Sequence, residues 1–492
     1  MEKYIILFNP APRSGFQAHR RVELPLSLLC TATRLDRQGY KIRIVDQFAD
    51  PLWKEHFQEA LQQKPICFGV TSMTGPQILR AIEASVEFKQ MYPDVPVVWG
   101  GIHASLLPDQ TVRHEAIDVV VVGEGEEAFE DLVKAIESQK PLSSVNGIYY
   151  KENGTIRWTV PRNFIDLDAE PPLSYHLVDV SLYRRQLFGV DHLTFNSSRG
   201  CTFRCSFCWD PVMHRRKWRA MQPLTVLDQL KRIIRDYNIR GFLFTDDHFF
   251  IDMHRARGIL EEIVRADLNI MISKLQIRAD TICRMDRDFL DLLVRAGVKR
   301  MTVGIESGNQ RVLDLIKKDV SLEEVIEANQ KLAPFPIVPL YLFMMGLPTE
   351  TPEEFRDSVM LAQRLLKENP KAVKTFNIYT PYPGTELYDV ALQLGLKQPD
   401  RLEDWARFNF RNIPKESAWI TPETKKLVEN LDLPLMFVGE HFTDSYRKTN
   451  SIISALGKLY SPLARYRVEN MDVRFPLESK IVKSLGLFAR QD

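Results

Sequence analysis

The chain has 492 residues, 45% of them hydrophobic and 26% charged. This is ordinary globular composition, at a length that calls for roughly two to four domains, each able to bury a core without disulfide staples. Lys and Arg (65) nearly cancel Asp and Glu (64), leaving a formal net charge of +1, so no global field favours a nucleic-acid partner and none is expected. No apolar run reaches the roughly 18 residues that span a bilayer. The apolar run at residues 4–8 is too short for a secretory signal and reads as a buried strand, so the expected location is the cytoplasm.

Through residue 145, short apolar runs alternate with helical patterns. Runs at 4–8, 41–46, 66–70, 95–99 and 118–122 read as strands, and 24–35, 78–91 and 126–136 as helices. That alternation predicts a Rossmann-like, doubly wound parallel sheet with helices on both faces and a ligand beyond the carboxyl ends of its strands. Residues 146–185 read as a linker with a small hairpin at Asn153-Gly154. From 186 to 400 the alternation resumes as six strand–helix units, with strands near 193–196, 241–245, 270–277, 300–305, 338–345 and 373–379. This predicts a partial (β/α)6 barrel of the TIM type. Residues 401–492 read as a mainly helical C-terminal segment.

Three strand ends of the first domain carry small residues: Thr71-Ser72-Met73-Thr74-Gly75, Gly100-Gly101-Ile102-His103 and Gly123-Glu124-Gly125-Glu126. Such loops let the backbone approach a flat or phosphate-bearing ligand closely, and they also make ordinary tight turns with helix caps. Of six cysteines, Cys30, Cys67 and Cys283 stand apart and read as small buried hydrophobes. Cys201, Cys205 and Cys208 crowd into one loop after the first barrel strand. Three thiolates at this spacing grip three corners of a [4Fe–4S] cubane and leave the fourth iron open. A structural zinc would need a fourth protein ligand, for which His214 is the nearby candidate.

The segment Cys201-Thr-Phe-Arg-Cys205-Ser-Phe207-Cys208 resembles the signature of the radical S-adenosylmethionine (SAM) superfamily, including the aromatic residue before the last cysteine. The resemblance implies that the open iron chelates SAM and that one electron cleaves its C–S bond to give a 5′-deoxyadenosyl radical. It also implies roles at later strand ends. Asp246 and Asp247 would accept from the SAM ammonium, where the family often has Gly-Gly-Glu. Arg278 would meet the carboxylate and Glu306 the ribose, with structural ion pairing as the alternative for both.

The first domain resembles the cobalamin-binding domain fused ahead of one branch of this superfamily. By that resemblance Thr71, Ser72, Thr74, Gly100, Gly101, His103, Gly123, Glu124 and Gly125 form the cobalamin groove. Classical cobalamin carriers place Asp-x-His-x-x-Gly after the first strand. This chain has Asn9-Pro-Ala-Pro-Arg-Ser-Gly15 there, so no motif histidine ligates cobalt, and His103 reads as a loop hydrogen-bonder. The branch implies methylation of an unreactive carbon or phosphorus through methylcobalamin, with radical cyclisation or rearrangement as the alternative. Methylthio transfer would need a second cysteine triplet in the first domain, where only Cys30 and Cys67 stand; a non-enzymatic iron–sulfur or cobalamin protein is the remaining reading. Expected partners are a small-molecule or lipid-like substrate and a reductant such as flavodoxin or ferredoxin. The basic, apolar stretch at 447–490 reads as a helical cover packed on the barrel, with rest on a membrane surface as the alternative.

Overall fold

The computed structural model describes residues 3–12, 22–408, 417–438 and 451–474. The first domain runs β1 (Tyr4–Asn9), α1 (Leu26–Asp36), β2 (Lys41–Asp46), α2 (Trp53–Ala60), β3 (Phe68–Thr71), α3 (Gln77–Met91), β4 (Val97–Gly100), α4 (Ile102–Leu106), α5 (Pro108–Arg113), β5 (Val119–Val121) and α6 (Glu126–Glu137). The strands lie in the order β2-β1-β3-β4-β5, all parallel. Because side chains alternate along a strand, β1 feeds two cores. Ile5 and Leu7 pack with Leu28 of α1 and Leu132 of α6, while Ile6 and Phe8 pack with Phe57 of α2 and Ile78 of α3. Successive crossovers leave opposite faces at β1 and β3, which opens a crevice at their carboxyl ends.

The Asn153-Gly154 hairpin forms, both residues at positive φ, but it does not sit in a free linker. Its strands β6 (Ile148–Glu152) and β7 (Thr155–Trp158) extend the first sheet antiparallel from β5. The first domain therefore continues about a dozen residues beyond the expected boundary at 145, because Ile148 and Tyr150 bury against that sheet.

After an edge strand β8 (Arg185–Leu187), antiparallel to its neighbour, the barrel begins with β9 (Val190–Phe195). A short ribbon, β10 (Ser198–Arg199) with β11 (Arg219–Ala220), brackets the cysteine loop and the helix α7 (Asp210–His214). Then come α8 (Pro223–Tyr237), β12 (Gly241–Phe244), α9 (Met253–Arg265), β13 (Met271–Lys274), β14 (Gln276–Ile277), α10 (Ala279–Cys283), α11 (Arg287–Arg295), β15 (Arg300–Glu306), α12 (Gln310–Leu315), α13 (Leu322–Leu332), β16 (Val338–Met345), α14 (Pro352–Glu368), β17 (Val373–Ile378) and α15 (Glu386–Gln393). The expected strand at 270–277 is broken at Leu275 into β13 and β14, so the wall consists of two parallel runs, β9-β12-β13 and β14-β15-β16-β17. An isolated parallel bridge between Ile272 and Val298 joins them. Capping boxes at Ser321/Glu324 and Thr351/Glu354 start α13 and α14.

Beyond the barrel, residues 402–408 return to the first domain, where Trp405 is fully buried and donates to Gln110. Helix α16 (Pro422–Phe437) covers the outside of β17, where Lys374 donates to Leu435 O at 2.7 Å, and α17 (Ser451–Glu469) packs on α16. No helix among the described residues is long and apolar enough to cross a membrane. Arg447, Lys448, Lys480, Lys483 and Arg490 of the basic stretch lie outside the described residues.

Candidate cofactor sites at the facing strand ends

The cysteine loop leaves β9 and is pinned on several sides. Gly200 sits at φ +82°, and a Cβ there would lie 2.2 Å from Lys217 O, so this turn excludes any side chain. Gly200 N donates to Asp247 and Cys201 N to Asp210. Within the Cys205–Cys208 stretch, Ser206 N donates to Ile316 O at the end of α12, and Leu387 N of α15 donates to Ser206 O, both at 2.9 Å. The three thiols are half-buried. Burial pushes Cys201 up to about 12 and holds Cys208 well above its usual value, and a metal reverses that preference by taking the thiolate.

The donor set fits a cubane better than zinc. Among the described residues, the group whose ligand atoms all lie within 4.8 Å of one another is Asp210, His214 and Asp247, not the cysteines. A zinc bound at about 2.3 Å by each sulfur would draw the sulfurs to roughly 3.8 Å apart. His214 is also engaged elsewhere, its Nδ1 accepting from Arg219 at 3.0 Å.

The adjacent acids Asp246 and Asp247 face different ways. Asp246 is fully buried, and its carboxylate accepts from the Ser197 and Ser198 hydroxyls and from Ser197 N. It braces the barrel wall, which corrects its expected contact with the SAM ammonium. Asp247 reaches the cysteine loop and stands beside Asp210. Burial, then the charge of Asp247 and its hydrogen bond, raise Asp210 to about 8.

Arg278 is likewise committed. It donates to Asp280, to Lys318 O and to Asp319 O, stacks 3.8 Å over the Phe203 ring, and turns its Nη1 to Cys205 Sγ at 4.0 Å. A free guanidinium for the SAM carboxylate is therefore not what the fold provides; Arg278 braces the cysteine loop instead. Glu306, at φ +70°, pairs with buried Lys318 at 2.9 Å, so the structural ion-pair alternative holds for that oxygen. Phe207 packs half-buried at the rim of the apolar cluster shared by the first domain and the barrel.

In the first domain, Gly101 lies at φ +89°, and a Cβ there would be 2.6 Å from Ser72 O, so the loops after β3 and β4 can only close on a glycine. Ser72 donates its hydroxyl to Gly100 O. Thr74 Oγ1 and His103 Nδ1 are 2.9 Å apart, while His103 Nε2 is buried without a partner. Burial holds that ring neutral, down to about 3. Gly123, at φ +82°, faces open space, and Gly100 has only Val121 O near it. The backbone at these strand ends thus lies bare to a broad ligand, as a cobalamin groove requires. The Glu124 carboxylate points the other way, to Arg199 at 3.3 Å and Arg219 at 2.8 Å on the barrel ribbon. Helix α4, which follows Gly101, abuts α7, which follows Cys208. The two sets of strand ends therefore face each other.

Several residues were not singled out in the sequence: Arg199, Asp210, Lys318 and Phe203. Asp210 had a usable signal, an acid two positions past the last cysteine. Cys67 is buried as expected, whereas Cys30 Sγ accepts from Arg199 at 3.3 Å across the domain boundary.

Residues 195–362 match the Radical SAM superfamily and residues 21–133 the B12 binding domain. An uncharacterized methyltransferase of Pyrococcus horikoshii is 30% identical over 371 residues, 75% of this chain and 78% of the relative. The anaerobic magnesium-protoporphyrin IX monomethyl ester cyclase of Rubrivivax gelatinosus is 28% identical over 382 residues, 76% of this chain and 66% of that one. The solved structure of the cobalamin-dependent S-adenosylmethionine radical enzyme OxsB, with aqua-cobalamin and SAM bound, superposes with a TM-score of 0.72 at 18% identity, covering 99% of this chain and 75% of the other. With the cysteine loop, the partial barrel and the glycine-lined sheet in these positions, the chain belongs to the radical SAM superfamily, in the branch that carries a B12-binding domain ahead of its barrel.

Proposed function

We propose that this enzyme methylates an unactivated carbon or phosphorus centre by cobalamin-dependent radical SAM chemistry. The observation that carries the reading is the facing of the two mouths: the loop after β5 meets the root of the cysteine loop through Glu124, Glu126 and Arg199. Bound there, the cluster would supply one electron for homolysis of SAM, and cobalamin a transferable methyl group. Cys201, Cys205 and Cys208 would hold three irons. Asp247 would accept from the SAM ammonium, with Asp210 beside it. The open backbone at Gly100 and Gly123 would receive the corrin and its tail, with Thr71, Gly101 and Gly125 shaping the strand ends beside it. The name of the Pyrococcus relative supports methyl transfer.

The barrel lumen supports an apolar, lipid-like small substrate. Along β16, Tyr341, Phe343 and Met345 are buried under the helices. The alternate residues Leu340, Leu342 and Met344 keep partial exposure on the other face, beside Thr375 and Asn377 of β17. A small one-electron protein such as flavodoxin or ferredoxin would reduce the cluster. On α17, Leu459, Leu463 and Tyr466 stand exposed near Arg465, in keeping with contact at an anionic membrane surface.

Radical cyclisation is the second reading, favoured by the similarity to the Rubrivivax cyclase. Anaerobic reconstitution with iron, sulfide, cobalamin and methyl-labelled SAM separates the two. Methylation predicts label on cobalamin and on an apolar acceptor, together with 5′-deoxyadenosine. Deoxyadenosine with acceptor loss and no transferred label would favour cyclisation or rearrangement.

A further inference from the structure

The ribbon β10–β11 closes the base of the cysteine loop, and Arg199 and Arg219 are direct partners across it. Like charges at opposed positions of an antiparallel pair repel. The carboxylates that form direct ion pairs with them come from the first domain. Glu124 divides its two oxygens between Arg199 Nη1 (3.3 Å) and Arg219 Nη1 (2.8 Å), and Glu126 meets Arg199 Nη2 at 2.6 Å. The acid side chains are 8% and 4% exposed and the arginines 20% and 16%, so water screens the cluster poorly and each member depends on the others. Glu124 also directly follows Gly123, whose backbone is open in the proposed cobalamin groove.

We propose that Arg199 is a positioning residue: with Glu124 and Glu126 it clamps the cysteine loop to the cobalamin domain and thereby fixes the separation between cluster and cobalt. The inference rests on the proposed reading that both groups are bound. Arg199 Nη1 and Nη2 are taken by Glu124, Glu126 and Cys30, not by the cysteine triplet that would ligate the cluster. Its effect passes through the backbone, because Arg199 immediately precedes the tight turn at Gly200 and then Cys201.

The test uses the full chain reconstituted with cluster and cob(II)alamin. Pulsed EPR would measure the dipolar coupling between Co(II) and the reduced cluster, and hydrogen–deuterium exchange would follow residues 200–218. Arg199→Met is expected to keep iron and cobalt contents at wild-type values while broadening the distance distribution and speeding exchange in that loop by roughly tenfold or more. Arg199→Lys, which keeps the charge but loses the forked reach, is expected between the two. If Arg199→Met does not fold, Glu126→Gln, which removes one of the two acids, is expected to give the same broadening to a lesser degree. A folded, doubly loaded Arg199→Met or Glu126→Gln protein with wild-type distances and exchange would overturn the clamp. Wild-type protein that binds a cluster but no cobalamin would instead overturn the underlying reading.

Discussion

The two candidate sites sit at the same kind of place, the carboxyl ends of parallel strands, yet they are built in opposite ways. The cysteine loop presents side-chain donors, and its surroundings brace it: Arg278 under Cys205, Asp247 on Gly200, Asp210 on Cys201. The first-domain loops present backbone, and their side chains turn inward or away: Ser72 to Gly100, Thr74 to His103, Glu124 to the barrel. A cluster needs covalent ligands at fixed corners, whereas a broad corrin needs room and close approach. Substitutions should therefore act on one site through chemistry and on the other through shape.

The sharpest separation comes from the ligands themselves. Cys201→Ala, Cys205→Ala or Cys208→Ala is expected to reduce deoxyadenosine formation to the level without enzyme while cobalamin binding stays near wild type; loss of both together would break the comparison. Next is Lys318→Met, which strands buried Glu306 without its cation beside Cys205. It should cost about 4 kcal/mol of stability and deplete iron on reconstitution, with Met in place of the ammonium stem keeping the packing. Gly101→Ala forces a Cβ against Ser72 O at a positive φ. It should cost about 3 kcal/mol and depress cobalamin retention, leaving iron content intact.

The smallest effect is one of pH. His103 is held neutral by burial, at about 3 against an ordinary value of 6.5. The unfolded chain takes up that proton first, so its stabilising contribution is complete above pH 6.5 and is lost as pH falls toward 3. Between pH 7.5 and 5 this amounts to about 2 kcal/mol. His103→Gln should flatten the acid limb of a urea-denaturation series by that amount, and an unchanged limb would show that His103 is not sealed in.

What could be read from residues alone follows the same division. The cysteine spacing announces its chemistry because covalent ligands must be particular residue types. The doubly wound sheet and partial barrel were legible because buried parallel strands are near-continuous apolar runs, as at Val119–Val121. Helix α2 escaped notice: its face rests on Phe57 and Ala60 within a polar stretch, a short pattern that tertiary packing completes. The fate of Asp246, Arg278 and Glu124 was not legible either, since each is settled by a partner far along the chain: Ser197, Lys318 and Arg219. Sequence neighbours such as Asp246 and Asp247 look equivalent until the strand end turns one into the wall and the other toward the loop.

The most direct test of the account is the EPR spectrum of the anaerobically reduced protein, recorded with and without SAM. A cubane held by Cys201, Cys205 and Cys208 with one open iron predicts about four irons per chain and a spectrum whose g values shift when SAM binds. One zinc per chain, or a reduced cluster whose spectrum is indifferent to SAM, would contradict it.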